Sequence, residues 1–263
     1  MYVKEMGDIM RVALAQMDII WNSSIKNINK IDSFAKMAKD KEVDLLLFPE
    51  MCLSGFEMDI TKLGNNDIDI KNNISEICIR NSLNIGFGYG IACDEKGENK
   101  FIIISAEGKV ILEYTKIHPF SMLSEDKFFK SGKSIEYCEI NNMNFSAFIC
   151  YDLRFPYIFQ EAGDKAEVII VAANWPESRS EHWITLLKAR AIENQCYILG
   201  VNRVGVGNDI VYSGDSMIID PNGNIVSKTD KYKEDLIVAE IDIKNVISIR
   251  EKMNVKQDRI NLN

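Results

Sequence analysis

Short apolar runs, with hardly a polar residue inside them, constrain the fold of this sequence more than any other feature. Residues 11–16 (RVALAQ), 43–48 (VDLLLF) and 167–174 (EVIIVAAN) are runs of this kind, which are typical of strands buried on both faces. Between the first two, residues 22–40 place apolar side chains near the three- and four-residue spacing of an amphipathic helix. Because a strand buried on both faces must be covered by further layers, we expect a layered α/β fold.

The remaining segments add strands, helices and two hairpins. We predict strands at 84–93, 100–106, 110–114, 144–150, 196–202 and 235–242. We predict helices at about 72–83, 154–163, 181–195 and from about 244. The polar stretch DEKGENK and the pair Asn222-Gly223 predict hairpin turns. This mixture indicates an α/β sandwich in preference to a doubly wound sheet, and since no linker or repeat interrupts it, we predict a single domain over residues 1–263.

The charge of the chain excludes several classes of partner. A formal net charge of −8, with lysines scattered among acids, argues against nucleic acid, since phosphate binding needs a concentrated basic surface. No run approaches the ~20 apolar residues of a membrane span, and the first residues do not fit a secretion signal. We therefore expect a cytoplasmic protein with no membrane partner.

The sequence does not contain the patterns of a metal site. Its six cysteines include no CxxC pair, and its two histidines are His118 and His182. We interpret most of the cysteines as small core residues with reduced thiols, and we expect neither a metal nor a cofactor.

Three reactive residues directly follow apolar strands. Glu50 follows LLLFP, Lys116 follows VILEYT, and Cys150 ends NFSAFIC. Ligands tend to bind at strand ends in open α/β sheets, so these residues are candidates for one site. Each of them alone is more often a loop acid, a surface charge or a core thiol.

The surroundings of these three residues resemble a known family. PE at 49–50, YTKIHPF at 114–120 and CYDLRFP at 150–156 are similar, in the same order, to the three signature segments of the nitrilase superfamily. The resemblance extends from RVALAQMDI to GDSMIIDPNG. It implies a four-layer α-β-β-α sandwich whose subunits pair, so we expect a homodimer or a higher homo-oligomer.

The resemblance also implies a Glu-Lys-Cys catalytic triad that hydrolyses a small linear amide to an acid and ammonia. Cys150 is the implied nucleophile that forms a thioester, Glu50 the general base and Lys116 the partner of the oxyanion. The backbone N–H of Tyr151 is a second candidate donor to the oxyanion. Family members often carry a further Glu after the lysine, which helps to position the substrate or the triad lysine. The resemblance assigns this role to Glu125, with Asp126 as the alternative.

Finer features resemble the bacterial branch that contains omega-amidases. These features are ANWPESRSEHWITLLKARAIENQ, CYDLRFP and YSGDS. Omega-amidases deaminate 2-oxoglutaramate and 2-oxosuccinamate, which carry a carboxylate at the end opposite the amide. A guanidinium grips a carboxylate through two hydrogen bonds, so Arg154 and Arg179 are the candidates for binding it.

Further residues are predicted to line the pocket. Asn174 and Trp175 directly follow a buried strand, and Phe56 lies shortly after Glu50. Trp183 and His182 lie one turn into a helix, where packing in the core is at least as common as a place in the pocket.

Several other functions remain open at this point. Within the family, the alternatives are another aliphatic amidase, an N-carbamoyl amidase and a nitrilase. Outside it, Cys150 is a candidate for a Cys-His thiol hydrolase with His118 or His182 as base, and a catalytically silent binding protein is the second alternative. Gly86-x-Gly88-x-Gly90 lies inside a predicted strand and lacks the spacing of a dinucleotide-binding loop.

Overall fold

The amino-terminal part of the chain supplies most of one sheet and the helices that cover it. The computed structural model describes residues 9–64 and 66–260. The first elements are β1 (Ile9–Gln16), α1 (Ser24–Asp40), β2 (Leu45–Leu47), α2 (Asp67–Asn81), β3 (Asn84–Cys93), β4 (Lys96–Ile104) and β5 (Val110–Thr115).

The rest of the chain supplies the second sheet and its helices. Its elements are α3 (Glu125–Phe128), β6 (Tyr137–Ile140), β7 (Met143–Ile149), α4 (Pro156–Gly163), β8 (Val168–Ala173), α5 (Ser180–Asn194), β9 (Tyr197–Asn202), β10 (Val204–Gly207), β11 (Ile210–Ser213), β12 (Met217–Ile219), β13 (Ile225–Lys228), β14 (Asp235–Asp242) and α6 (Ile243–Lys252). Short 3-10 turns lie at Ile60–Lys62, Ser121–Leu123, Cys150–Arg154 and Glu177–Arg179.

Two six-stranded sheets have closely similar topologies. The first has the order β14-β1-β2-β3-β4-β5 and the second β13-β12-β9-β8-β7-β6. In the first sheet β1, β2 and β3 are parallel, and in the second β7, β8 and β9 are parallel, while the outer strands pair antiparallel. Strands β10 and β11 form a separate hairpin.

The sheets lie face to face because their strands are apolar on both sides. On β1, Val12 and Leu14 join residues of the second sheet in one apolar cluster. Ala13 and Ala15 of the same strand point the other way, into a cluster with Phe34 of α1 and residues of α2. Helices α4 and α5 cover the second sheet. The result is the four-layer α-β-β-α sandwich, so the predicted fold is confirmed.

Most predicted elements are present, but several boundaries are wrong. Helix α2 begins at Asp67, earlier than predicted, because the side chain of Asn66 caps it by accepting from the N–H of Asp69 (3.3 Å). Strand β4 begins at Lys96, so most of the predicted loop DEKGENK is strand and the turn is confined to 94–95. The predicted turn at Asn222-Gly223 is present, with Gly223 at φ +82°.

Three strands have no counterpart among the predicted elements. They are β6 and the hairpin of β10 and β11. Their sequences, YCEI, VGVG and IVYS, are short and half-exposed, so they do not show the continuous apolar pattern of the buried strands. None of the described helices is both long and apolar enough to cross a bilayer.

Candidate active site

The parallel strands of both sheets bring the candidate residues together at one end of the sandwich. Glu50 follows β2, Cys150 follows β7, and Asn174 follows β8 directly. Lys116 is the residue after β5, in the sheet that also contains β2. Because each sheet places the carboxyl ends of its parallel strands at the same edge, residues far apart in sequence meet there.

Lys116 lies between two fully buried carboxylates. Its Nζ donates to Glu50 Oε1 at 2.8 Å and to Glu125 Oε2 at 2.9 Å. Glu125 Oε2 also accepts from the backbone N–H of Phe120 at 2.6 Å, which ties the segment after Lys116 to the cluster. Asp126, the alternative to Glu125, is exposed to solvent. The acid that contacts Lys116 is therefore Glu125.

The charges of the cluster shift the pKa values of its members. Burial lowers the pKa of Lys116, but Glu125 and Glu50 outweigh it and hold that pKa above the ordinary lysine value. Burial raises the pKa of Glu125, which Lys116 opposes and Glu50 reinforces. Burial and then Glu50 raise the pKa of Cys150 well above the ordinary thiol value. Lys116 is therefore charged near neutral pH and Cys150 rests as a thiol, which needs a base before it can attack.

Cys150 occupies a strained turn at the end of its strand. Its φ is +47°, in the left-handed region, and the 3-10 turn Cys150–Arg154 begins at this residue. The buried Asp152 holds the turn by accepting from Ile149 N (3.0 Å), Tyr114 Oη (2.8 Å) and His118 N (2.9 Å). A strained backbone persists only where the surroundings impose it, and such positions cluster at functional sites.

Gly88 of β3 creates the space for the loop that carries Glu50. Gly88 N donates to Pro49 O at 3.1 Å, and Cys52 N donates to Gly88 O at 2.8 Å. A Cβ on Gly88 would stand 2.6 Å from Glu50 Cα and 2.8 Å from Met51 N. The glycine at position 88 is therefore explained by the close packing of β3 against this loop.

Two asparagines complete the surroundings of Glu50. The backbone N–H of Asn174 donates to Glu50 Oε2 at 2.8 Å, and its side-chain Nδ2 donates to Glu50 O at 2.6 Å. Asn99 of β4 donates from Nδ2 to Glu50 Oε1 at 2.8 Å and to Glu125 Oε1 at 2.9 Å. Cys150 Sγ donates to Asn174 O at 3.9 Å.

Asn99 was not among the residues predicted from the sequence, because the predicted strand began one residue later, at Lys100. A usable signal was present. Asn99 directly precedes KFIIIS, and its side chain shares the alternating face of Phe101 and Ile103, which are buried in the cluster between the sheets. A polar residue on that face of a strand needs a polar partner.

A pocket opens beside Cys150. It contains all six residues predicted to bind substrate, together with others that the sequence did not indicate. Its lining residues are Phe56, Phe120, Leu123, Cys150, Tyr151, Arg154, Asn174, Trp175, Pro176, Arg179, Ile210 and Tyr212. Ile210 and Tyr212 belong to the hairpin of β10 and β11, which is why they were missed.

The two arginines of the pocket lie over aromatic rings. Arg154 Cζ is 4.9 Å from the centre of the Trp175 ring, and Arg179 Cζ is 5.7 Å from that of Phe120. Arg154 also contacts His182 Nδ1 at 3.2 Å. Within residues 9–64 and 66–260, no Asp or Glu forms an ion pair with either guanidinium. The pocket therefore holds two cations whose charge no described carboxylate neutralises.

The described hydrogen bonds of the histidines and Trp183 go to groups other than the Cys150 thiol. His118 Nδ1 is 2.8 Å from Asp152 Oδ1, and its Nε2 is 2.6 Å from Tyr157 Oη. Trp183 is fully buried and donates to Asp215 O at 2.8 Å, so it packs in the core. In the part of the chain that the structure describes, no hydrogen bond joins either histidine to Cys150. The same residues contain no cluster of three His, Cys, Asp or Glu side chains that could hold a metal ion.

Comparison with known proteins shows which family this chain resembles. The model of the carbon-nitrogen hydrolase family matches residues 11–251. The 2-oxoglutaramate amidase of Bacillus subtilis is 31% identical over 252 residues, which cover 94% of this chain and 96% of that protein. The omega-amidase YafV of Escherichia coli K12 is 32% identical over 250 residues, which cover 95% of this chain and 96% of that protein.

A solved structure agrees over nearly the whole chain. XC1258 from Xanthomonas campestris, described as a CN-hydrolase superfamily protein with an arsenic adduct in the active site, superposes with a TM-score of 0.91 at 26% identity. The match covers 97% of this chain and 98% of that one. The predicted resemblance to the nitrilase superfamily is thereby confirmed, and the chain belongs to the carbon-nitrogen hydrolase family.

Proposed function

We propose that this protein is an omega-amidase, which hydrolyses the amide of 2-oxoglutaramate or 2-oxosuccinamate to the acid and ammonia. The observation that carries the proposal is the position of Arg154 and Arg179. Both guanidinium groups line the pocket beside Cys150, and no described carboxylate pairs with them. The names of the Bacillus subtilis and Escherichia coli relatives support the same substrate class.

In the proposed mechanism Glu50 is the general base. The thiol of Cys150 has a raised pKa, so it must lose its proton as it attacks the amide carbonyl. Glu50 takes that proton, the C–S bond forms, and the carbonyl oxygen becomes an oxyanion. The ammonium of Lys116 and the backbone N–H of Tyr151 stabilise this oxyanion, and one such donor typically lowers a barrier by about 3–4 kcal/mol.

The second half of the reaction uses the same residues. The tetrahedral intermediate expels the amine, which takes up the proton from Glu50 and leaves as ammonia, and a thioester on Cys150 remains. Glu50 then accepts a proton from water as the water attacks the thioester. The tetrahedral intermediate then collapses with cleavage of the C–S bond, Glu50 returns its proton to the sulfur of Cys150, and the acid is released. Glu125 contacts the ammonium of Lys116 and so helps to keep it charged through both halves.

The lining of the pocket suits the carbon chain and the carboxylate of the proposed substrate. Trp175, Phe56 and Tyr212 provide apolar walls for a short carbon chain. A carboxylate at the far end would form paired, charge-assisted hydrogen bonds with Arg179 or Arg154. An uncharged amide would offer neither guanidinium group a carboxylate partner.

A comparison of substrates tests the proposal. Ammonia release is measured in parallel from 2-oxoglutaramate, glutamine, a simple aliphatic amide, an N-carbamoyl amino acid and a nitrile. We expect kcat/KM for 2-oxoglutaramate to exceed that for the uncharged amide by at least about tenfold, because a charge-assisted hydrogen bond is worth about 1.5–3 kcal/mol. A higher kcat/KM for the N-carbamoyl amino acid or the nitrile would reject the omega-amidase assignment.

We also infer that the protein pairs with a second copy of itself and works in the cytoplasm. Tyr157 of α4 is 57% exposed and Ile192 of α5 is 52% exposed, so the outer helices present apolar side chains to solvent. Pairing through these helices would cover them. The six cysteines are free thiols, as expected in a reducing compartment.

A further inference from the structure

Asn99 is in contact with all three charged members of the active-site cluster. Its Nδ2 donates to Glu50 Oε1 at 2.8 Å and to Glu125 Oε1 at 2.9 Å. Its backbone carbonyl oxygen accepts from the backbone N–H of Lys116 at 2.9 Å. Asn99 is 1% exposed, so water does not take over these contacts.

The orientation of the Asn99 amide follows from the groups that it faces. Both acceptors are carboxylate oxygens, so the NH₂ group must point towards them and the amide oxygen away. Among the described residues, that oxygen, Asn99 Oδ1, is buried and has no hydrogen-bond partner. A buried acceptor without a partner has a free-energy cost. The two glutamates therefore set the orientation of the amide in spite of this cost.

The contact with Asn99 restricts how Glu50 can turn. Glu50 Oε1 accepts from Lys116 as well as from Asn99, so two donors hold this oxygen on the side of Lys116. The other oxygen, Oε2, accepts from the backbone N–H of Asn174, the residue whose carbonyl oxygen lies 3.9 Å from Cys150 Sγ. The carboxylate is therefore fixed with one oxygen towards Lys116 and the other on the side of the thiol.

We propose that Asn99 is a positioning residue for the reaction: its NH₂ group bridges Glu50 and Glu125, offsets their mutual repulsion, and keeps Glu50 aimed at Cys150. An amide suits this position because it donates two hydrogen bonds and has no charge to change with pH. A cation there would compete with Lys116, and an acid would add a third negative charge. The inference rests on the proposed role of Glu50 as general base.

Other titratable groups face the same cluster. They are Lys116 after β5, Glu125 on α3, Cys150 after β7 and Tyr212 on β11. A change in the charge at position 99 therefore acts on the whole cluster. Its effect is greatest on Glu50 and Glu125, because they contact Asn99 directly.

Two variants at position 99 test the proposal. Asn99→Leu removes both donors while keeping the branching at Cγ, and Asn99→Asp replaces the donors by a third carboxylate. We expect kcat to fall about ten- to a hundredfold in each, as for the loss of charge-assisted hydrogen bonds, while KM changes less than about threefold. We expect Asn99→Asp also to move the acidic limb of the kcat profile to higher pH, because an added negative charge opposes deprotonation.

The double variant Asn99→Asp with Glu125→Gln restores the charge of the cluster. The amide introduced at position 125 would donate to the carboxylate introduced at position 99, so one hydrogen bond returns in the reverse direction. We expect kcat of the double variant to exceed that of Asn99→Asp by about fivefold or more, and the acidic limb to move back. A purely structural role for Asn99 predicts no such rescue, so additive losses in the double variant would overturn the proposal.

A substrate-free measurement separates this proposal from the proposed function. Alkylation of Cys150 by iodoacetamide, followed across pH by mass spectrometry, reports on the thiol and its base without any amide turnover. We expect the alkylation profile of Asn99→Asp to lie at higher pH than that of the wild type. An unchanged profile would refute the role of Asn99, whereas failure of the wild type to hydrolyse 2-oxoglutaramate would refute only the substrate assignment.

Asn81→Asp is the matched control for stability. Asn81 is also buried, and its Nδ2 donates to Ile77 O at 2.8 Å within α2. We expect this variant to lose thermal stability while its kcat stays within about twofold of the wild type. If Asn99→Asp does not fold, Asn99→Ser, which retains a small polar side chain, replaces it, and a kcat within about twofold of the wild type would then contradict the proposal.

Discussion

Glu50 packs so closely against Gly88 that a Cβ on the glycine would stand 2.6 Å from Glu50 Cα. We expect Gly88→Ala to push the loop that carries Glu50 away from β3. A displacement of about 1 Å can reduce turnover about a hundredfold, so kcat should fall far more than the stability loss explains.

Gly90→Ala is the control for that variant. Its Cβ would meet Met51 Cε at 2.6 Å and Leu63 Cδ1 at 3.1 Å, which are the ends of flexible side chains. We expect Gly90→Ala to lower the free energy of unfolding by about 1–3 kcal/mol, as overpacking does, with a much smaller effect on kcat. Equal kcat values for the two variants would show that Gly88 does not place Glu50.

Cys150 should be the residue that becomes acylated. We expect Cys150→Ala to abolish turnover, and mass spectrometry of a stalled reaction to find the acyl group on Cys150. Cys93→Ala and Cys196→Ala should retain kcat, with Cys196→Ala losing stability because Cys196 is fully buried. An acyl group on any cysteine other than Cys150 would exclude the proposed mechanism.

Replacement of both histidines tests the alternative of a Cys-His thiol hydrolase. His118 contacts Asp152 and His182 contacts Arg154, and no described hydrogen bond joins either histidine to Cys150. We expect His118→Asn with His182→Asn to retain a large part of kcat, at a cost in stability from the lost contact with Asp152. Loss of all turnover in a folded double variant would favour a histidine base.

Arg179 should distinguish charged from uncharged substrates. We expect Arg179→Ala to lower kcat/KM for 2-oxoglutaramate about ten- to a hundredfold and to leave an uncharged short amide nearly unaffected. Arg179→Lys should rescue only part of the loss, because an ammonium cannot form the two parallel hydrogen bonds that a guanidinium makes with a carboxylate. Arg154→Ala is the control, since Arg154 lines the same pocket. Equal losses for both substrates in Arg179→Ala would leave Arg154 or backbone N–H groups as the carboxylate site.

Ionisation of the buried Glu125 carboxyl should lower the free energy of unfolding as the pH rises above the acidic range. Because burial raises its pKa, the folded state holds its proton more tightly than the unfolded state. Stability therefore falls as the pH rises from the ordinary glutamate value of about 4.3 through the raised folded value. Glu125→Gln cannot ionise, so we expect its Tm at neutral pH to equal or exceed that of the wild type, while kcat falls.

Thermal unfolding followed by circular dichroism between about pH 4 and pH 8 checks this sign. Each kcal/mol shifts the Tm of a domain of this size by about 2–4 °C. Asp126→Asn, on the exposed neighbour, should follow the wild-type curve. A Tm of Glu125→Gln that falls further below the wild type as the pH rises would contradict the prediction.

Light scattering tests the pairing of subunits. We expect a species of twice the 29.9 kDa chain mass at micromolar protein concentration. Ile192→Glu would place a charge on the exposed face of α5, so it should shift the protein towards the single chain. A wild type that scatters as one chain would reject the dimer.

The sequence by itself determined the layers of this protein and indicated its candidate active-site residues. The apolar runs of β1, β2, β7 and β8 are local patterns. Each run predicts a buried strand from its own residues alone. The segments around Glu50, Lys116 and Cys150 were recognisable for the same reason, since each lies within a few consecutive residues. Short half-exposed strands such as β10 and β11 have no such local pattern, so the hairpin that brings Tyr212 to the pocket was missed.

Only the tertiary structure decided how the site is assembled. Glu50 and Lys116 are 66 residues apart, and Glu50 and Asn174 are 124 apart, so their contacts depend on strand order and register across two sheets. The bridge from Asn99 to two carboxylates and the place of Arg154 and Arg179 in one pocket are of the same kind. A hydrogen bond or an unneutralised charge depends on distances of a few ångströms between distant segments, and local sequence patterns carry no such distances.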